Sequence, residues 1–322
     1  MRRALEFLVF VLFSLALPGF AAAQAYPSKQ IRIIVPWAPG GSTDVLARLI
    51  GVKMSENWGQ PAIVENKPGA SGNIGSELVV KAPPDGYTLL LGSVSTHAMN
   101  PFLVASMPFK GVDDFTTIAL AAYVTNVLVT HPSVPAKSVS ELIALLKAQP
   151  GKIAYASAGN GSPNHVAAEL FRRLANVEML HVPYKGGGPA TAAIAGGQVG
   201  VLFTGLGNVW EHVKAGRLHL LAVTEDRRSQ LLPSLPRVAE TVAGYEVAVW
   251  YGVWGPAKMP ADLVNKLNAE VNRILKLPDV KQRLDLMGAE HVSMPAREAH
   301  ALLQREHDRW GKIIKEAGIK AD

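Results

Sequence analysis

Residues 31–55, IRIIVPWAPGGSTDVLARLIGVKMS, run from a β-type apolar segment, Ile31–Val35, through the loop PWAPGGSTD (36–44) into a helix-like stretch. A strand that ends in paired glycines and opens a helix leaves backbone N–H groups free. Those donors and the helix dipole point the same way, so the junction is a ready anion site. Within it Pro36 and Pro39 stiffen the chain and Gly40 and Gly41 permit close backbone approach. Ser42 and Thr43 are candidates to cap the helix or to offer hydroxyls to a ligand. Asp44 falls in the first turn, where a carboxylate is favoured as a cap. Alternatively it holds a bridging water or accepts from a ligand.

The same logic recurs further along. A strand over 153–156 leads into Ser157-Ala158-Gly159-Asn160-Gly161-Ser162, and Pro163 suits the first helical position after a Ser162 cap. His165 lies one turn into that helix, as a ligand donor or a packed ring. Two such loops in separate halves suggest one ligand held between two helix N-termini. VPYKGGGPA (182–190) is a third glycine-rich strand end, with Tyr184 as a pocket wall and Lys185 as an anion partner or a solvated charge. Phe203-Thr204-Gly205-Leu206-Gly207 is a fourth. Ser93, Ser95, Thr96 and His97 follow an apolar strand over 87–92, and loops at the carboxyl ends of parallel strands are where ligands bind.

Around these loops, short β-type runs alternate with helical ones, which predicts an α/β protein with mainly parallel sheets. Strands are expected over 31–35, 62–65, 87–92, 152–156, 179–182, 199–203 and 247–254. Helices are expected within 43–58 and over 73–81, 138–148, 163–176, 261–275, 280–287 and 297–317. Ser138 with Glu141 reads as a capping box. The long run 115–130 is a candidate crossing point between domains, and the strand 218–224 is expected to return the chain to the first. Residues 26–124 and 224–322 would form one discontinuous domain and 125–223 the other.

The N-terminus reads as a cleaved export signal over 1–25: Arg2 and Arg3, then an apolar core over 7–17 too short to span a bilayer, then small residues before Tyr26. The chain of 322 residues contains no cysteine, which excludes disulfides, thiolate chemistry and an N-terminal lipid anchor. The net charge of +6 is scattered, without the basic runs a nucleic-acid binder carries. No later segment is long and apolar enough for a membrane helix, so a soluble mature protein is expected. Nucleophile elbow, phosphate-binding loop, dinucleotide fingerprint and zinc-protease motif are all missing. His165 and Glu169 do not suffice for a metal site. No catalytic residue, metal or cofactor is therefore assigned. A Ser–His pair assembled in space, using His165 or His97, stays open as a hydrolase alternative.

Taken in order, YPSKQIRIIVPWAPGGSTDVLAR, VENKPGASGNIG, PPDGYTLLLGS, STHAMNP, ASAGNGSPNHVAAELF, VPYKGGGPA, GGQVGVLF, VKAGRLHLLAVT and RWGKIIKEAGIK resemble the receptors of tripartite tricarboxylate transporters, the Bug receptors. The resemblance spans nearly the whole chain after residue 25. It implies a two-domain Venus-flytrap periplasmic receptor, a monomer without cofactor. It also implies a small carboxylate ligand (a di- or tricarboxylate, an aromatic acid or an acidic amino acid) and membrane transporter subunits as partners. It places the carboxylate grip at 39–44 and 157–165, partly through water. A receptor that serves a sensor instead of transport is a further alternative. Three positions depart from the commoner pattern. Trp37 replaces a smaller aromatic, favouring a flat ligand or serving packing. Gly207 and Trp210 replace prolines and are expected to alter the cleft wall or rim.

Overall fold

The computed structural model describes residues 26–320 except 105, 226, 227, 230 and 231; the expected export signal lies outside them. Strands β1 (Ile31–Val35), β2 (Ala62–Asn66) and β3 (Thr88–Ser93) build one half of the first sheet, paired in parallel. Helix α1 (Ser42–Trp58) connects β1 to β2, and α2 (Asn73–Val80) connects β2 to β3. All of β3 is buried, as an inner parallel strand must be. The chain then makes a wide π-type turn, Ser95–Met99, and a short helix α3 (Asn100–Leu103) before entering β4 (Phe115–Val124).

At Thr125 the chain leaves this sheet. Strand β5 (Asn126–Thr130) belongs to a second sheet with β6 (Ala154–Ser157), β7 (Leu180–Pro183), β8 (Val201–Gly205) and β9 (His219–Val223), in the order β7-β6-β8-β5-β9. Helices α4 (Val139–Ala148), α5 (Pro163–Leu174), α6 (Gly187–Ala195) and α7 (Leu206–Lys214) connect them. The chain returns as β10 (Val249–Pro256), followed by α8 (Ala261–Leu275), α9 (Pro278–Leu286), β11 (Ala289–His291) and α10 (Ala296–Ala317). The first sheet reads β11-β4-β10-β3-β1-β2. Each sheet is parallel through its β-α-β half and antiparallel at the strands that carry the crossings. Such strands arrive without a βα crossover of their own.

One expectation is corrected here. Strand β9 does not return to the first sheet; it pairs antiparallel with β5 at the edge of the second. The return follows, where Thr224 N–H bonds to Asn126 O and Val247 N–H to Thr224 O. An apolar run shows that a strand forms but not which neighbour it finds. The capping box at α4 is also modified. Ser138 Oγ accepts from Glu141 N at 3.2 Å, while the Glu141 carboxylate takes Lys137 N–H at 2.8 Å instead of Ser138 N–H.

The first core is built on Trp250, Trp254 and Trp310, all fully buried, with Ile31, Ile33, Ile34 and Leu46. A smaller cluster under the second sheet gathers Val127, Val129, Leu202 and Val209. The crossings are laced together: Thr125 N–H bonds to Gly288 O, Leu206 N–H to Thr125 O and Gly207 N–H to Met287 O.

Candidate functional site

The carboxyl ends of β1 and β3 face those of β6 and β8, and the glycine-rich loops close on one another. Ala38 N–H donates to Lys185 O at 3.2 Å, and Ser71 Oγ donates to Asn160 O. A Cβ on Gly41 would stand 3.7 Å from Gly187 N, and one on Gly188 would stand 3.2 Å from Pro39 O. The walls touch backbone to backbone, so the structure is closed.

Inside lies a cavity of about 40 Å³ at the N-terminus of α1, lined by Ser42, Thr43, Asn126, Asn164, Thr204, Asn208 and Tyr251 among others. Its polar lining is neutral apart from Asp44. Outside it lies a wider cavity of about 610 Å³ bordered by residues 68–73, 158–160, Tyr184 and Lys185. Trp37 and Ala158 border both.

The helix N-terminus is built as glycine chemistry dictates. Gly40 has φ +90°, a conformation a side chain resists, and Gly41 is the N-cap with no side-chain cap bond. Ser42 is therefore inside the helix, and its Oγ donates across the cleft to Asn208 Oδ1 at 3.2 Å. Asn208 Nδ2 in turn donates to Thr204 Oγ1 at 3.0 Å. Asp44 turns inward: it accepts from Gly40 N–H (3.1 Å), Arg48 Nε (3.1 Å) and Asn66 Nδ2 (2.9 Å). Burial alone would raise this carboxyl. The hydrogen bonds from Arg48, Asn66 and Gly40 outweigh it and hold the group below the usual carboxylate range. Burial raises the Tyr251 phenol, and hydrogen bonds with Thr43 and Ser42 offset part of that.

The second loop is tied to its own helix. Ser162 caps α5, accepting from His165 N–H at 3.3 Å, with Pro163 next. Gly161 N–H donates to His165 Nδ1 at 3.1 Å, and Gly159 N–H to Ser157 Oγ at 3.1 Å. Ser157 Oγ also meets His181 Nε2 at 2.6 Å, but Ser157 is fully buried and borders neither cavity.

Residues 46–319 match the family model described as the tripartite tricarboxylate transporter family receptor. The chain belongs to this receptor family. It is 36% identical to the protein BugT of Bordetella pertussis, over 95% of each chain. An R. palustris protein whose structure holds adipate is 36% identical, with a TM-score of 0.87 over 92% of this chain and 99% of that one. MatC from Rhodopseudomonas palustris with bound malate is 31% identical, with a TM-score of 0.85 over 90% of this chain and 100% of the other. The fold is thus the two-domain α/β fold of periplasmic binding proteins, whose members in this family are solute-binding receptors. Among the described residues, no helix is long and apolar enough to cross a membrane, and no group of three or more His, Asp or Glu is arranged to hold a metal ion.

The receptor brings together Trp37, Gly41, Ser42, Thr43, Asp44, Ser93, Thr204 and Gly205 around the inner cavity, and Gly159, Asn160, Tyr184 and Lys185 around the outer one. Several expected contacts are elsewhere. Ser95, Thr96 and His97 are fully buried in the turn after β3. There Thr96 Oγ1 donates to Ser93 O, and His97 stacks on Trp254 with ring centroids 3.8 Å apart. Burial pushes His97 down to about 3, a ring kept neutral by the core. Gly161, Ser162 and His165 sit behind their loop because they satisfy one another, Ser157 because it meets Gly159 N–H and His181 Nε2, and Pro39 and Gly40 stand at the exposed rim. Gly207 is not on the cleft wall: a Cβ there would stand 2.6 Å from Met287 Cα, at the crossing between the sheets.

Sequence reasoning missed Ser71, Asn126, Gly187, Asn208 and Tyr251, and within 157–165 it did not single out Asn164. Asn126 is 2% exposed, and its Nδ2 has no hydrogen-bond partner among the described residues. A lone Asn opening a strand carries no local signal. Gly187 lay in a motif already singled out and was the one to find there.

Proposed function

We propose that this receptor captures a small carboxylate in the periplasm, without chemistry, and presents it to the membrane components of a tripartite transporter. The observation that carries this reading is the inner cavity. It caps a helix N-terminus with hydroxyls and amides and brings no lysine or arginine of its own. Neutral donors and a helix dipole grip a carboxylate head and let it go, where a buried cation would form a costly fixed pair. Each charge-assisted hydrogen bond contributes about 1.5–3 kcal/mol. The inner cavity suits one carboxylate head; the wider one beyond Trp37 and Ala158 receives the rest. The adipate and malate held by relatives support this class.

In this reading residues 26–124 and 224–322 move against 125–223 after the export signal is removed, and the protein acts as a monomer. One loop catches the acid and closure brings up the other, so ligand stabilises the closed form. The test is a thermal-shift screen of dicarboxylates, tricarboxylates, aromatic acids and acidic amino acids on the mature protein. A true ligand at 100 times its Kd stabilises by about 2.7 kcal/mol. A response to sugars or cations and to no acid would overturn the substrate class.

A further inference from the structure

Beneath the second loop the rings of Tyr155, His181 and His165 form a stack. The centroids of Tyr155 and His181 are 4.7 Å apart at 12°, and those of His181 and His165 are 4.4 Å apart at 25°. His165 is tied to a loop amide, and His181 to a loop hydroxyl. Gly161 N–H donates to His165 Nδ1, so that nitrogen carries no proton and the neutral ring bears its hydrogen on Nε2. Ser157 Oγ accepts from Gly159 N–H and meets His181 Nε2 at 2.6 Å. With two lone pairs and a rotating hydrogen, that hydroxyl serves either tautomer of His181 and keeps the Gly159 amide in both. Residues 158–160, between these two ties, border the cavities.

We propose that His165 is a positioning residue for ligand capture: as a neutral ring stacked on His181 it holds the Gly161 amide in place, and a proton on its Nδ1 releases that end of the loop. The part of this that concerns carboxylate affinity rests on the function proposed above. A proton on His165 Nδ1 sets donor against donor and breaks the Gly161 tie. Two stacked rings cannot both carry charge cheaply. Burial, and His165 beside it, hold His181 down to about 4. The other charged and titratable neighbours are Tyr155 on β6 and Glu169 and Arg172 on α5. Tyr155 donates to Glu169 Oε1 at 2.8 Å, and Arg172 holds Glu169 at 2.9 Å and Glu178 at 3.0 Å. Glu169, one turn beyond His165, is the countercharge that receives the acid form.

The test has two arms. In ¹⁵N-labelled wild type at about pH 8, long-range spectra should show His165 as the Nε2–H tautomer. On acidification the Gly161 amide signal should move in step with protonation of that ring. An Nδ1–H tautomer for His165, or an unmoved Gly161 amide while its ring titrates, overturns the proposal. In the second arm, calorimetry with adipate and with malate should show His165→Ala weakening binding about tenfold at pH 8. His165→Asn, whose Oδ1 accepts the Gly161 amide but does not titrate, should recover most of that loss and flatten the fall in affinity expected of wild type as the His165 ring takes up its proton. A His165→Asn profile as steep as wild type overturns the proposal. Absence of binding by wild type to either acid speaks against the carboxylate reading and leaves the ring and amide titration to decide the positioning role.

Discussion

At the scale of single residues, the determinants of this receptor are close approaches and closed hydrogen-bond accounts. Gly207 lets α7 lie directly against the backbone at Met287, where a Cβ would meet Cα and O at 2.6 and 2.9 Å. Gly207→Ala should therefore lower stability by about 1–3 kcal/mol through overpacking, read as an earlier urea midpoint at unchanged slope. Asp44 makes its case through charge. A carboxyl held below its ordinary range contributes stability that is present above the unfolded value and lost as pH falls through the folded one. Asp44→Asn should cost about 1–3 kcal/mol at neutral pH and shrink the acid dependence of unfolding, followed by denaturation at several pH values. His97 works with the same sign. Neutral in the fold and pushed to about 3, it makes stability decline as pH falls below the free imidazole value towards that figure. His97→Leu should reduce the pH slope of stability in that window by up to about one proton.

At the scale of elements, glycine, proline and serine at strand ends made the loops legible, and hydrophobic runs made the strands legible. α5 begins where Ser162 and Pro163 said it would. What failed was orientation. The run after β3 has the composition of a polar loop, yet it coils into the π-type turn that turns Thr96 and His97 inward. Ser93 Oγ meets Ser95 Oγ at 3.0 Å and Thr96 Oγ1 donates to Ser93 O, so these hydroxyls find partners within the turn. Likewise, nothing local reveals that the loop 36–44 meets Gly187, Gly188 and Asn208, while the loop 157–162 meets Ser71; closure of the whole chain sets that pairing. Asn126 and Asn208 went unread because an isolated amide has no periodicity. For α4, capping is decided by one hydroxyl, and Ser138→Ala should destabilise by about 1 kcal/mol, measured by thermal unfolding.

At the scale of the whole molecule, the cleft is held by few polar contacts, with Ser42 to Asn208 bridging the two sheets. A closed state maintained so lightly suits a receptor that must reopen. Asn208→Ala removes about 0.5–1.5 kcal/mol from the closed form alone. Small-angle scattering of the variant should show a larger radius of gyration than wild type at equal, subsaturating ligand. An unchanged radius would mean that apolar and backbone contact, not this bridge, holds the walls together.

Trp37 divides the two cavities, and it is 8% exposed. Three of the six tryptophans, Trp250, Trp254 and Trp310, are sealed in the first core. An indole at the border of both cavities feels each change of polarity there, while the sealed ones emit a constant background. The protein thus carries its own optical reporter: intrinsic emission should change on capture in wild type and fall silent in Trp37→Phe. Solutes can then be ranked by titration in a cuvette, without labelling the protein or knowing beforehand what it carries.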